Sequence, residues 1–240
     1  MVSIIIPVFN EEDAVEDTIL RLQKTLSAIP EESEIIVVDD GSEDRTHPLS
    51  LALAPTLSKG NLSIRVVHHE KNQGNGAAIM SGITAAKGTV LGTVDADGTY
   101  PIEEFPRLLK EMRMHHADMV VGTRHRQGSH IPLTHLIAKT FLRMFASTLL
   151  CRRIPDLNSG MRLFTRDLAE HFMNLYPKRF SFHITLTVAA IAQKYHVRYI
   201  DIDYFRRSGM SKLSRGILGY YNFCKFLLLI PYILVRAQWK

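Results

Sequence analysis

The 240-residue sequence contains only two cysteines, Cys151 and Cys224, and a single tryptophan. Two lone thiols build no disulfide framework, and without a Cys-x-x-Cys pair there is no zinc knuckle. Such sparse cysteine fits a reducing compartment. Long apolar runs are missing too. "FLLLIPYILV" (226–235) spans ten residues between Lys225 and Arg236 and contains Pro231, whereas a membrane-spanning helix needs about 20. Met1 runs straight into "VSIIIPV" with no basic leader, and acidic residues 11–13 follow, which is not a secretion-signal pattern. Acidic residues become scarce in the second half. Residues 121–240 carry five Asp and Glu against 19 Lys and Arg, whereas residues 1–120 carry 19 against 10. A basic half of this kind usually meets phosphate, as nucleic acid, an anionic membrane or a phosphorylated small molecule.

What is present is a folded-protein composition, 46% apolar, with no low-complexity segment. Four apolar runs alternate with helix-compatible stretches: "VSIIIPV" (2–8), "SEIIVVDD" (33–40), "IRVVHH" (64–69) and "VLGTVDAD" (90–97). Between them, Ala14, Ile19, Leu22 and Leu26 share a helical face, a second segment carries Leu49, Leu51, Leu53 and Leu57, and "GNGAAIMSGITAAKG" (74–88) is small and helix-compatible. Continuous Ile/Val runs predict strands covered on both faces, and strand–helix alternation predicts an open parallel sheet. Ligands of such sheets bind beyond the carboxyl ends of the strands.

Polar clusters stand at those ends: "PVFNEE", "DDGSED", "KNQGNGAA" and "DADG". Asp95 and Asp97 are separated by one residue, so in extended backbone both face the same side and could share a cation. Asp and Gly after a strand also serve as plain turn residues. Four polar clusters on one rim favour the functional reading.

The motifs "PVFNEE", "VVDDGSEDRT", "NQGNGAA", "DADG", "VVGTR", "DLNSGMRLFTR" and "RRSGMSKL", in this order over about residues 2–215, resemble the family 2 glycosyltransferases of the GT-A fold, and among them the dolichyl-phosphate mannosyltransferase type. The resemblance implies a Rossmann-like, mainly parallel α/β sheet with helices on both faces. It also implies transfer of a single hexose from a nucleotide-diphosphate sugar (GDP-mannose or a UDP-sugar) to a polyprenyl phosphate such as dolichyl or undecaprenyl phosphate. Pro7, Phe9, Glu11, Val38 and Asp40 would hold the nucleoside. Asp95, Ala96 and Asp97 match the family's Asp-x-Asp, with Asp97 binding Mg²⁺ or Mn²⁺ against the diphosphate, where a hard cation takes up leaving-group charge. Where some relatives carry a Gln two residues beyond the second Asp, this chain has Thr99, which leaves the second protein ligand open.

Arg124 in "VVGTR" matches an arginine aimed at phosphate near the reacting centre, and Arg206 and Lys212 match a basic pair that closes over the donor. Guanidinium suits bidentate phosphate contact, and lysine suits a point charge on a loop. Arg207 reads as an ordinary surface cation. In "DLNSGMRLFTR" Ser159 and Arg162 would contact the acceptor phosphate, and Asp156 is the one carboxylate. A phosphate monoester, with a second pKa near ~6, is already an anionic nucleophile and needs no general base. The Glu-Asp pair and the Gln-x-x-Arg-Trp signature of hydroxyl-glycosylating relatives are both missing, which favours a phosphate acceptor and inversion by direct displacement. His183 occupies a position where many relatives are acidic, and it reads as a satisfied core residue. His68-His69 and His115-His116 lack metal-ligand spacing and read as structural.

"IPLTHLIAKTFLRMFASTLL" (131–150) spaces Leu133, Leu136, Ile137, Phe141, Met144 and Phe145 helically, with Lys139 and Arg143 a turn apart. With "FLLLIPYILV" it predicts two helices lying in a membrane interface without crossing, or else packed into the core. The expected organisation is a catalytic domain over 1–215 with the 131–150 helix inserted, then a membrane-associating segment over 216–240, held peripherally at the cytoplasmic face of a membrane. Two rivals remain: transfer to a glycan or lipid hydroxyl with Asp156 as base, and a non-catalytic nucleotide-sugar-binding module. Nucleic acid is disfavoured as a partner, because Asp39, Asp40, Asp95 and Asp97 would repel its backbone.

Overall fold

A computed structural model describes residues 1–124, 133–179, 181–205 and 217–238. Seven strands form one sheet: β1 (Val2–Val8), β2 (Ser33–Asp39), β3 (Leu62–His68), β4 (Val90–Thr93), β5 (Met119–Arg124), β6 (Arg162–Thr165) and β7 (Val197–Ile202). Their order is β3-β2-β1-β4-β6-β5-β7. β6 runs antiparallel to β4 and β5, and every other pairing is parallel. The four predicted runs all form strands; the third starts two residues earlier than expected and the fourth stops at Thr93, before the aspartates.

Eight helices cover the sheet among the described residues: α1 (Val15–Ser27), α2 (Thr46–Leu57), α3 (Asn75–Ala85), α4 (Phe105–Met114), α5 (Leu133–Leu149), α6 (Arg166–His171), α7 (Phe182–Ala192) and α8 (Ile217–Gln238). Two cores result. Ile4, Ile6, Ile35 and Val37 meet Ile19, Leu22 and Leu26 of α1 and Leu108 of α4 on one face. Ile5, Ile36, Val38 and Val121 meet Ile79 and Ile83 of α3 and Leu186 and Ala190 of α7 on the other. Alternate strand residues enter opposite cores, as the two-residue side-chain period requires. In α2, Leu49, Leu53 and Leu57 pack on the first core, while Leu51 is exposed.

α5 and α8 each divide their apolar residues. Leu142 and Ala146 of α5 and Ile230, Ile233 and Ala237 of α8 enter the second core, while Phe141, Met144 and Leu149 of α5 and Leu228, Tyr232 and Val235 of α8 are exposed. Among the described residues no helix is long and apolar enough to cross a membrane.

The topology opens a crevice between β1 and β4. The chain leaves β1 toward β2 and β3 on one side, whereas β4 leads into β6 and β5 on the other, which is where an open α/β sheet binds ligands. β4 pairs with β1 only along Val2–Ile5, and the last bond on that side runs from Val94 N–H to the Ile5 carbonyl. Pro7 points its nitrogen to the same side, beyond the end of that ladder, so a proline inside a central strand forfeits no hydrogen bond.

Candidate active site

The predicted residues converge on this rim in three groups. The first lies where β1 and β2 end. Phe9 and Glu11 are half-buried, whereas Pro7, Val38 and Asp40 are buried. Backbone–side-chain bonds knit the two exit loops together: Asn10 N–H donates to Ser42 Oγ (2.9 Å) and Glu11 N–H to Thr46 Oγ1 (2.8 Å). The Asp40 carboxylate accepts the N–H groups of Gln73 (2.9 Å) and Gly74 (2.7 Å) and lies 2.7 Å from His69 Nδ1. Asp40 therefore pins the loop before α3, where Gly74 takes a φ of 107° that a side chain would resist. In the first turn of α3, Gly76 and Ala77 donate their N–H groups to the carbonyls of Arg179 and Lys178. The glycine-rich turn is thus spent on internal packing.

The second group follows β4. Asp95 and Asp97 are partly exposed and Ala96 is buried. Asp97 Oδ1 accepts Thr99 N–H (3.2 Å) and the Thr99 hydroxyl (2.6 Å), which fixes the carboxylate's orientation. Thr99, itself buried, is therefore the partner that positions Asp97. Gly160 lies so close to Asp95 that a Cβ there would collide with the carboxylate. Gly160 N–H donates to the Tyr100 hydroxyl at 2.7 Å, whose acidity burial weakens, with Arg124 acting in the opposite sense and Asp95 reinforcing the shift. Rigid, partly exposed oxygen donors of this kind suit Mg²⁺ or Mn²⁺, and Asp97 would be the residue to hold such an ion.

The third group joins β5 to the segment before β6. Arg124 grips Asp156 with two parallel bonds, Nε to Oδ2 at 2.7 Å and Nη2 to Oδ1 at 2.9 Å, and its guanidinium lies 5.5 Å from the Tyr204 ring. Burial alone would raise the Asp156 carboxyl, but the Arg124 charge and hydrogen bonds hold it below the usual carboxylate range. Arg162 stands elsewhere. It is fully buried, donating to the carbonyls of Ser159 (3.0 Å from Nε) and His183 (3.1 Å) and to Thr187 Oγ1 (2.9 Å). Ser159 is equally buried, and its hydroxyl makes no hydrogen bond. The structure therefore brings Asp95, Asp97 and Arg124 to the rim and sets Ser159 and Arg162 beneath it. Burial, reinforced by Arg162 and Arg124, pushes His183 well below its ordinary value, so it is neutral. The Thr93 hydroxyl spends its proton on the Gly160 carbonyl (2.7 Å), so His183 Nε2, 3.2 Å away, must be the donor to it. Arg206 and Lys212 lie outside the described residues.

Sequence reasoning passed over Tyr100 and Tyr204, and met Thr99 only as the residue standing where some relatives carry a Gln. Their signal was present only as neighbours of the recognised motifs.

A seven-stranded, mainly parallel sheet with one reversed strand and carboxylates at the β1–β4 crevice is a GT-A-like glycosyltransferase fold. The solved structure of glucosyl-3-phosphoglycerate synthase from Mycobacterium tuberculosis with Mn²⁺ and UDP-glucose superposes with a TM-score of 0.73 at 18% identity, covering 96% of this chain and 79% of that one. Residues 3–172 match the model described as "Glycosyl transferase family 2", and the chain belongs to that family. Among curated relatives, an undecaprenyl-phosphate mannosyltransferase of Micrococcus luteus is 30% identical over 90% of this chain and 88% of its own length. A dolichyl-phosphate β-glucosyltransferase of Trichomonas vaginalis is 29% identical over 88% and 67%, and one of Dictyostelium discoideum is 30% identical over 83% and 64%. The chain thus spans about two thirds of the length of these two glucosyltransferases.

Proposed function

We propose that the protein is a metal-dependent, inverting glycosyltransferase that moves one hexose from a nucleotide-diphosphate sugar to a polyprenyl phosphate at a membrane surface. The observation that carries this reading is the pairing of Asp156 with Arg124. A carboxylate locked in a bidentate ion pair, with its pKa held low, is a poor general base. A hydroxyl acceptor would need such a base, whereas a phosphate acceptor brings its own negative charge.

Phe9 and Glu11 face the nucleoside, with Val38 and Asp40 shaping the floor from within. Asp95 and Asp97 face the diphosphate, and a bound Mg²⁺ or Mn²⁺ supplies the charge that stabilises the departing nucleotide. Arg124 faces the acceptor phosphate, which exchanges for or joins Asp156 on the guanidinium fork. Ser159 and Arg162 support that segment from below. Phe205, the last described residue before Arg206, donates its N–H to the Thr99 carbonyl at 2.9 Å, beside the Asp97 loop. Residues 1–215 form the catalytic unit. The exposed apolar residues of α5 and of the 216–240 segment rest on the membrane, at its cytoplasmic face, where flanking cations each contribute about 1 kcal/mol on an anionic surface.

The test offers the protein UDP-glucose, GDP-mannose and other nucleotide sugars with Mn²⁺, and either a short polyprenyl phosphate or the matching prenol. Solvent-extractable prenyl-phosphate sugar formed only with the phosphate supports the reading; transfer to the prenol, or none with any donor, overturns it. Flotation with anionic liposomes tests the membrane contact separately: binding at low salt is expected, and recovery in the soluble fraction at low salt contradicts it.

A further inference from the structure

Consecutive carboxylates at the end of β2 enter opposite faces of the sheet, and each meets a histidine from β3 or just beyond it. Asp40 with His69 serves the loop before α3. Asp39 is fully buried on the α2 side, and its Oδ2 lies 2.8 Å from His68 Nδ1 and 3.4 Å from Nδ1 of His47, the second residue of α2. The two imidazoles face one another with centroids 4.1 Å apart and planes tilted by 37°. His47 Nδ1 is buried yet makes no hydrogen bond, so its approach to Asp39 is not that of a donor to an acceptor. All three donor atoms lie within 4.8 Å of one another. Ligand atoms about 2.0–2.1 Å from a tetrahedral ion stand roughly 3.3 Å apart, close to the 3.4 Å at His47, while the 2.8 Å at His68 is a hydrogen bond that an ion would replace.

We propose that Asp39, His47 and His68 bind a transition-metal ion of the Zn²⁺ class, at a site distinct from the hard-cation position at Asp97. Two imidazole nitrogens and one carboxylate oxygen suit a borderline ion better than Mg²⁺. The His47 and His68 side chains are 27% and 41% exposed, which gives an ion a route in and leaves a coordination position for water. Ser42 N–H, 3.3 Å from Asp39 Oδ1, steadies the carboxylate through its other oxygen. β1 separates β2 from β4, so Asp39 and the exit of β4 are set two strand spacings, about 10 Å, apart across the sheet. The ion ties the first turn of α2 to β2 and β3, directly behind Ser42 and Thr46, whose hydroxyls hold the backbone of Asn10 and Glu11. Its role is to brace the exit loops of β1 and β2.

The experiment titrates demetallated full-length protein with Co²⁺, followed by its visible d–d absorption, and then with Zn²⁺ as competitor. One equivalent giving a low-symmetry Co²⁺ band displaced by Zn²⁺ is expected in the wild type and in Asp97→Ala. His47→Ala and His68→Ala should bind at least tenfold more weakly, and Zn²⁺ should raise Tm in the wild type but not in His47→Ala. Should His68→Ala fail to fold, His47→Ala alone decides. No band in the wild type, a band unchanged by His47→Ala, or a band lost only in Asp97→Ala overturns the proposal.

Discussion

The two halves of the rim handle charge in opposite ways. On the β2–β1–β4 side, carboxylates accept from backbone N–H groups and a hydroxyl: Asp40 from Gln73 and Gly74, with His69 Nδ1 2.7 Å away, and Asp97 from Thr99. On the β6–β5 side, Arg124 is balanced by Asp156, and Arg162 is enclosed by carbonyls and a hydroxyl. On the proposed reading, the acidic side attracts a cation with its diphosphate. The basic side keeps one guanidinium at the rim and uses the other as a strut. Two arginines that look alike in sequence therefore have separable roles, and variants can pull them apart.

The largest effect belongs to Asp97→Ala. Transfer should fall by on the order of a hundredfold or more, because the diphosphate loses its ion-holding carboxylate, while thermal stability holds, since removing one of several neighbouring carboxylates relieves repulsion. Steady-state rates in Mn²⁺ beside a melting curve check both parts, and near-normal turnover would break the acidic half of the comparison.

Arg162→Met comes next and should act on stability. Its loss strands the Ser159 carbonyl in the interior, while the His183 carbonyl keeps the Thr187 hydroxyl, at about 2 kcal/mol by urea denaturation. Nucleotide diphosphate should still bind the remaining folded fraction with unchanged affinity. A variant of normal stability but lost acceptor affinity would return Arg162 to the phosphate.

Thr99→Val is subtler. Without the hydroxyl bond Asp97 is less well oriented, and Mn²⁺ should bind roughly tenfold more weakly with kcat at saturating metal little changed. An equal loss at all Mn²⁺ concentrations would give Thr99 some other task. The smallest effect concerns acid stability. The folded Asp156 pKa lies below its unfolded value near ~3.9, so the pair's stabilisation is complete above the unfolded pKa and fades as pH falls toward the folded one. Asp156→Asn should therefore flatten the acid limb of the stability curve, and an unchanged limb would mean the pair contributes nothing.

Much of this was legible in the sequence. The Ile/Val runs of β1 and β2 and the Ile19–Leu26 face of α1 follow directly from periodicity, and the rim follows from polar clusters at strand ends. The reversed β6 did not, because "RLFT" is too short to show direction and antiparallel pairing depends on where the chain returns. The burial of Arg162 was not legible for a related reason: the motif gives its spacing but not the α7 residues that enclose it. His68 and His69 are adjacent in sequence and face opposite sides of the sheet, so linear spacing hid the partnership of His68 with Asp39 and His47. The apolar helices were only half-readable, since α8 turns Ile230 and Ile233 inward and Leu228 and Val235 outward within the same run.

The central claim is that the acceptor supplies its own nucleophile and the protein supplies no base. It is tested most directly by the pH dependence of kcat/KM for a short polyprenyl phosphate, in the wild type and in Asp156→Asn. The account predicts a rate that rises through the acceptor's second ionisation, near pH ~6, and then levels, with the same midpoint in both proteins and at most about a tenfold difference in height. A rise that disappears in the variant, together with a loss of 10²- to 10⁴-fold of the size that general-base catalysis contributes, would contradict it.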